Sequence, residues 1–252
     1  MRMVYRETLY KTGEYATVAV YPVFRQGRKR RSKYQPTSEV QQMLNDHNAK
    51  ERLMRQLNLH MKPGDGWWRL TYTDEVLPET REEAIRRWQA FKRRVIRFCE
   101  RNGMGEVKIA AVFHGDVGSG TEKRLHVHIV INQEISYMEM LKLWRDGGVE
   151  VKPLYESKKG FAGVANYMIK GMSWGRVMTT RNMQDVAPVE KTGRLSRDAV
   201  QEIYDNWDDK DAWEGRWPGY KIAQVCPYFN YFNKQYYLRV YLYKEDKHGK
   251  KV

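Results

Sequence analysis

The chain has 252 residues, a formal net charge of +14 at pH 7 and a pI of about 9.6. A chain of this length can bury a large core, as one large domain or as one domain with extensions. The excess of positive charge favours polyanionic partners and predicts salt-sensitive binding. The sequence has no apolar run of about 18 residues and no apolar signal-peptide core, so we expect no membrane segment and a cytoplasmic location.

Hydrophobic periodicity along the chain predicts alternating strands and helices. The first part predicts a strand pair over 1–35, a helix over 38–60, a strand over 67–73, a helix over 80–102 and strands over 106–114 and 124–132. The second part predicts a helix over 136–146, a strand over 149–154, helices over 160–171 and 195–207, and strands over 220–226 and 235–244. This alternation is typical of an α+β fold.

The predicted architecture is an antiparallel sheet with helices packed mainly on one side. We expect an N-terminal basic extension over 1–62, a core over 63–183 and a C-terminal extension over 184–252 packed on that core. The basic run 28–33 is either a solvated loop or a phosphate-binding segment. The aromatic run 228–243 is either a hairpin that completes a core or a platform on which single-stranded bases stack.

The helix predicted over 80–102 has two contrasting faces. It begins with Thr80 and Glu83 in capping-box spacing. Its apolar residues recur at helical spacing and predict a buried face: Ala84, Trp88, Phe91, Val95, Phe98 and Cys99. The opposite face carries Arg86, Arg87, Lys92, Arg93, Arg94, Arg97 and Arg101. This basic face is either solvated or directed at DNA.

Two histidines lie two residues apart in the strand predicted over 124–132. Because side chains alternate along a strand, His126 and His128 share one face, and the apolar residues between and beside them share the other. A strand that buries one side and presents two imidazoles on the other can supply half of a metal site.

His114 ends the preceding strand and is expected on the same face, because the two strands should pair as a hairpin. Three imidazoles could hold one divalent ion and leave positions open for substrate or water oxygens. Asp116 and Glu122, in the connecting loop, are alternative third ligands.

The helix predicted over 160–171 carries a tyrosine outside its apolar face. Its apolar residues, Phe161, Val164, Ala165, Met168 and Ile169, cluster on one side. Tyr167 and Lys170 lie on the opposite side, three residues apart, and therefore neighbour each other. A tyrosine beside a cation suits a nucleophile, because positive charge favours the phenolate; an ordinary exposed pair is the alternative.

Three motifs in this order resemble those of the HUH endonuclease superfamily, and specifically of single-tyrosine rolling-circle replication initiators. The motifs are Leu70-Thr71-Tyr72-Thr73, His126-Val127-His128 and Tyr167-Met168-Ile169-Lys170. The segment 176–183 is also similar to one that follows the third motif in phage-type initiators. The resemblance covers about residues 67–183, and this chain has His114 where many relatives have a glutamate.

This resemblance implies a ferredoxin-like HUH core and an enzyme that nicks and rejoins single-stranded DNA. His126, His128 and His114 would hold Mg²⁺ or Mn²⁺, Tyr167 would form a 5′-phosphotyrosine link, and Lys170 would stabilise developing charge. The expected partners are a single-stranded DNA origin and the helicase and polymerase of the bacterial host or the replicon. The sequence lacks the Gly-x-x-x-x-Gly-Lys-Ser/Thr motif, so a partner would have to unwind the DNA.

Two other functions are compatible with the same sequence. A basic α+β module could bind single-stranded nucleic acid without any chemistry, and it would need neither the histidines nor Tyr167. A conjugative relaxase or a small transposase would belong to the same superfamily and share its chemistry. Other histidine phosphoesterases are disfavoured, because residue 130 is Val where a histidine triad requires His.

Overall fold

The computed structural model describes residues 4–23, 39–118, 123–175, 177–209, 216–231 and 234–244. The chain forms two compact units. We call residues 40–156 and 161–185 the histidine unit, and residues 1–39, 157–160 and 186–252 the terminal unit.

The elements are given in chain order. The strands are β1 (Val4–Thr12), β2 (Tyr15–Val23), β3 (Gly66–Thr71), β4 (Ile109–His114), β5 (His126–Ile131), β6 (Val149–Pro153), β7 (Met178–Thr179), β8 (Val189–Leu195), β9 (Tyr220–Asn230) and β10 (Gln235–Lys244). The helices are α1 (Glu39–His60), α2 (Arg81–Arg101), α3 (Tyr137–Trp144), α4 (Ala162–Lys170) and α5 (Arg197–Asp205). The predicted α+β class is confirmed.

The histidine unit contains an antiparallel sheet in the order β6-β3-β5-β4-β7. One face of this sheet forms the main core. Strand alternation directs Val127, Ile129 and Ile131 of β5 into it, together with Ile109, Ala111 and Phe113 of β4. These six side chains are almost completely buried, as expected from the apolar positions of the two predicted strands.

α2 and α3 pack on this core face. Thr80 caps α2 by accepting a hydrogen bond from the backbone N–H of Glu83, and Ser136 and Glu139 form a reciprocal capping box on α3. The buried residues of α2 are Ala84, Trp88, Phe91, Val95 and Cys99, which confirms five of the six residues of the predicted core face. The sixth, Phe98, is partly buried against the same core. The ring of Trp144, at the end of α3, makes edge contacts with Phe91 and Tyr72.

α4 lies against the opposite face of the sheet, the face that carries the histidines. The imidazole of His114 contacts the backbone of this helix at Met168, with 2.8 Å between Nε2 and the carbonyl oxygen. The side chain of Asn58, on α1, accepts a hydrogen bond from the backbone N–H of Phe161 just before α4. The predicted apolar face of α4 is buried.

The terminal unit is built around a second antiparallel sheet, in the order β8-β1-β2-β10-β9. Val200 of α5 packs in its core with residues such as Tyr5, Val18 and Val240. The aromatic run 228–243 forms part of the β9–β10 hairpin. Its aliphatic residues enter this core, whereas Tyr228 and Tyr231 are 60% and 84% exposed. Nucleic-acid stacking on this hairpin stays a prediction.

These two units differ from the three predicted segments 1–62, 63–183 and 184–252. Helix α1 belongs to the histidine unit, and the first two strands join strands from the end of the chain. The physical reason is the pairing of β2 with β10, which makes one sheet from both termini. Local periodicity cannot reveal such a pairing, because both strands show the same alternation whichever strand lies beside them.

Strands β7 and β8 were not predicted from the sequence. β7 has two residues and β8 contains polar and charged residues, so neither gives a clear apolar alternation. The basic run 28–33 lies outside the described residues. Within the described part of the chain, no helix has both the length and the apolar character needed to span a bilayer.

Phe91 is completely buried between Trp88 and Trp144, so we expect Phe91→Ala to leave a cavity in the main core. The free energy of unfolding should fall by about 3–5 kcal/mol. Denaturant titration monitored by circular dichroism measures this change. Arg93→Ala, at an exposed position of the same helix, is the control and should change stability by no more than about 0.5 kcal/mol. Equal effects of the two variants would contradict the assigned core.

Candidate metal centre and active site

The pairing of β4 with β5 brings three histidines together at one end of the sheet. His114 lies directly opposite His126, and Val112 lies opposite His128. The ring centroid of His114 is 5.6 Å from that of His126 and 4.7 Å from that of His128. The centroids of His126 and His128 are 5.0 Å apart. One ring nitrogen from each residue lies within 4.8 Å of the others. This cluster could hold a metal ion.

Backbone carbonyls orient two of the imidazoles. Because a carbonyl oxygen can only accept, His114 donates from Nε2 to Met168, and His126 donates from Nδ1 to Arg124 over 2.9 Å. The lone pair therefore remains on Nδ1 of His114 and on Nε2 of His126. A hydrogen bond of this kind from the second ring nitrogen is the usual support of a metal-binding histidine.

His128 provides the test of whether a metal fits. Its Nε2 is buried and has no hydrogen-bond partner among the described residues. An unpaired buried polar atom destabilises the fold, and such atoms are rare in native proteins. A metal ion held with His114 and His126 would give this nitrogen a partner, so the donor set fits a divalent cation.

All three imidazoles have a pKa below the ordinary histidine value of 6.5. Burial is the largest cause in each case, because it disfavours the charged imidazolium. For His128, burial and the neighbouring His114, His126 and Arg69 lower the pKa to about 3. The rings are therefore neutral near pH 7, which is the form that binds metals.

The loop residues considered as alternative third ligands do not join the cluster in the described structure. Asp116 is exposed, and its backbone pairs with Arg124. The cluster that could hold a metal ion contains His114 instead. Glu122 lies outside the described residues.

Tyr167 is the phenol next to this cluster. Its ring centroid is 5.1 Å from that of His128 and 5.9 Å from that of His114, and its side chain is 49% exposed. The buried face of α4 holds the helix against the sheet, and this leaves Tyr167 between the histidines and solvent. The structure thus brings the predicted nucleophile beside the predicted metal ligands. Lys170 is exposed one helical turn later.

Three further residues lie near Tyr167 and were not predicted from the sequence as part of the site: Trp67, Arg69 and Glu150. They line a cavity of about 170 Å³ with His128 and Tyr167. Alternation along β3 was the available signal, since it places Trp67, Arg69 and Thr71 on one face. The neighbouring strand could not be inferred from that pattern.

Gly171 ends α4 where a side chain would collide with His114. A Cβ atom there would lie 2.8 Å from Nδ1 and 2.9 Å from Cε1 of the imidazole. Gly171→Ala should therefore displace His114 and weaken Mn²⁺ binding by on the order of tenfold or more, as measured by calorimetry. Gly163→Ala is the matched control, because a Cβ on this residue of the same helix meets no atom within 4 Å. Unchanged affinity in Gly171→Ala would argue against His114 as a ligand.

Metal binding should resist mild acid, because the three imidazoles have lowered pKa values. Mn²⁺ affinity should change little from about pH 7.5 to about pH 6 and weaken below about pH 6. A free histidine, by contrast, is already mostly protonated at about pH 6. Without metal, the free energy of unfolding should decrease as pH falls through 6.5, because these histidines take up protons in the unfolded chain before they do so in the folded one.

Calorimetric titration across this range measures the affinity. His128→Ala should remove binding, and His60→Ala, which alters a histidine outside the cluster, should leave it unchanged. A steep loss of affinity already between about pH 7.5 and about pH 6 would contradict the assignment of imidazoles that are neutral in this range.

Comparison with known proteins gives no relative for this chain: no protein-family model, no curated protein and no solved structure matches it. Its chemical capacity therefore follows from the geometry of the site. Three neutral imidazoles can bind a divalent cation, and a half-exposed phenol lies beside them. This arrangement suits reactions in which a phenol oxygen attacks an electrophile held by the cation.

Proposed function

We propose that this chain is a rolling-circle replication initiator that nicks and rejoins single-stranded DNA through a covalent 5′-phosphotyrosine link. The observation that carries the proposal is the position of Tyr167, whose ring centroid lies 5.1 Å from His128 of the histidine cluster. Motif order in the sequence supports the same function. The phenol and the candidate ligands come from distant parts of the chain, yet they adjoin each other in the fold.

Mg²⁺ or Mn²⁺ is the proposed cofactor, with His114, His126 and His128 as its protein ligands. When bound, the ion would polarise the scissile phosphate and help to orient it. The protein holds the imidazoles neutral by burial and directs two of them through carbonyl hydrogen bonds.

In the nicking step, the Oη atom of Tyr167 attacks the phosphorus and a P–Oη bond forms. The bond from phosphorus to the 3′ oxygen breaks, and this oxygen takes up a proton as the free 3′-OH. The phenolic proton is lost to solvent. Lys170, which follows Tyr167 by one helical turn, provides positive charge near the developing negative charge. In the rejoining step, a 3′-OH attacks the phosphotyrosine and releases Tyr167.

The proposed substrate is a single-stranded DNA origin. The net charge of +14 favours association with a polyanion and predicts that binding weakens as salt concentration rises. The released 3′-OH would prime a polymerase, and a helicase of the host or replicon would separate the strands. The proposed place of action is the bacterial cytoplasm.

Tyr167→Phe should abolish formation of a covalent protein–DNA adduct, because it removes the attacking oxygen and keeps the ring. The experiment incubates the chain with a pool of single-stranded DNA of random sequence and Mn²⁺, and then detects linked DNA after denaturation. Mass spectrometry of the linked peptide should identify Tyr167. Tyr155→Phe is the matched control, since Tyr155 is 75% exposed in the same unit and should be dispensable.

Two outcomes would contradict the proposal. DNA binding with no adduct, under any metal condition, would favour a binding module without chemistry. An adduct on a residue other than Tyr167 would assign the chemistry elsewhere. Sequencing of the linked strands would separate replication initiation from a relaxase or transposase function, because it identifies the nicked site.

A further inference from the structure

The cavity beside Tyr167 continues the histidine face of the sheet towards the edge strand β6. Its volume is about 170 Å³. Its lining residues are Trp67, Trp68, Arg69, His128, Glu150, Lys152 and Tyr167. Pockets for drug-sized ligands measure roughly 300–1,000 Å³, so this cavity suits a smaller group.

Strand pairing explains how these side chains come together. β3 lies between β5 and β6, and Arg69 is paired with His128 on one side and with Glu150 on the other. Trp67 is paired with Lys152. Because paired residues point to the same face, one surface extends from the imidazoles across β3 to the carboxylate and ammonium groups of β6.

Two residues that line this cavity each have a buried donor without a hydrogen-bond partner among the described residues. Nε1 of Trp67 and Nε of Arg69 make no hydrogen bond to any described residue. Glu150 supplies an acceptor beside them, since its Oε2 lies 3.5 Å from an outer nitrogen of Arg69 and its side chain is 63% exposed. A ligand with both acceptors and donors along one edge would satisfy these groups.

The cavity also offers an aromatic wall. The rings of Trp67 and Tyr167 meet edge to face, with 5.2 Å between their centroids. Trp67 is only partly buried, so part of its surface is open to a ligand. Nucleobases combine a planar face that stacks on indole with an edge of donors and acceptors.

We propose that this cavity is a subsite for one unpaired nucleobase of a nucleotide that flanks the phosphate attacked by Tyr167. The base stacks on Trp67, and its edge pairs with Arg69 and Glu150. Lys152, which is exposed and lines the cavity, supplies a positive charge for the phosphate backbone of the same nucleotide. The position of the subsite beside the scissile phosphate rests on the proposed function. Such a subsite makes nicking depend on the identity of the flanking base.

An abasic scan tests the subsite without requiring cleavage. Short single-stranded DNA is selected from a random pool for binding to the Tyr167→Phe chain, and each base of a selected strand is then replaced in turn by an abasic residue. At one position the replacement should weaken binding by about tenfold or more, because the stacked base is lost. In a chain that carries both Tyr167→Phe and Trp67→Leu, the same abasic replacement should have little effect on binding. In a chain with Trp67→Phe instead, part of the effect should remain, because a phenyl ring can still stack on a base.

The contribution of Glu150 is measured by changing the base rather than removing it. At the position identified by the scan, the four natural bases should differ in affinity by on the order of tenfold. Glu150→Gln should change this preference. Glu106→Gln is the matched control, because Glu106 is similarly exposed and also lies near a basic side chain, but lines no part of this cavity.

The outcomes separate the subsite from the nicking function. The subsite would be overturned if abasic replacement weakened binding equally with and without the Trp67→Leu substitution. A selection that yields no binding DNA at all would also overturn it. A Trp67-dependent base position in a chain that never forms an adduct would support the subsite and reject the nicking reaction. Adducts that form without any base position coupled to Trp67 would reject the subsite alone.

Discussion

The pairing of β4 with β5 is the constraint on which the candidate site depends. It places His114 opposite His126, and His128 lies two residues further along β5 on the same face. A shift of one residue would turn both β5 histidines into the face that packs on α2 and α3. That face is occupied by Val127, Ile129 and Ile131, which are completely buried. The hydrophobic effect therefore stabilises the register that the imidazoles require.

Helix α4 links the stability of the histidine unit to the geometry of the site. Its apolar side is buried, and the carbonyl oxygen of Met168 accepts the hydrogen bond that orients His114. The helix ends at Gly171, where the absence of a side chain leaves room for that ring. The same packing presents Tyr167 beside His128. Displacing the helix would consequently disturb the ligands and the phenol together.

Much of the local structure was predictable because its signals are short-range. Thr80 was identified as the cap of α2 from its spacing of three residues to Glu83, and its side chain accepts a hydrogen bond from the backbone N–H of Glu83. The faces of α2 and α4 followed from helical periodicity, and those of β4 and β5 from strand alternation. The shared face of His126 and His128 was predicted from that alternation alone. Placing His114 on the same face required one further assumption, that the two strands form a hairpin.

Longer-range relations could not be obtained in this way. The sheet formed by both termini, and the position of β3 between β5 and β6, depend on which strands bury their apolar faces together. Trp67, Arg69 and Glu150 therefore became part of the site only in the folded chain. Local sequence was sufficient to establish most of the elements, though not β7 and β8, and the side to which their side chains point, because backbone geometry sets both within a few residues. The order of strands, and with it the cavity beside Tyr167, emerged from burial of the whole sheet, which no short stretch of sequence encodes.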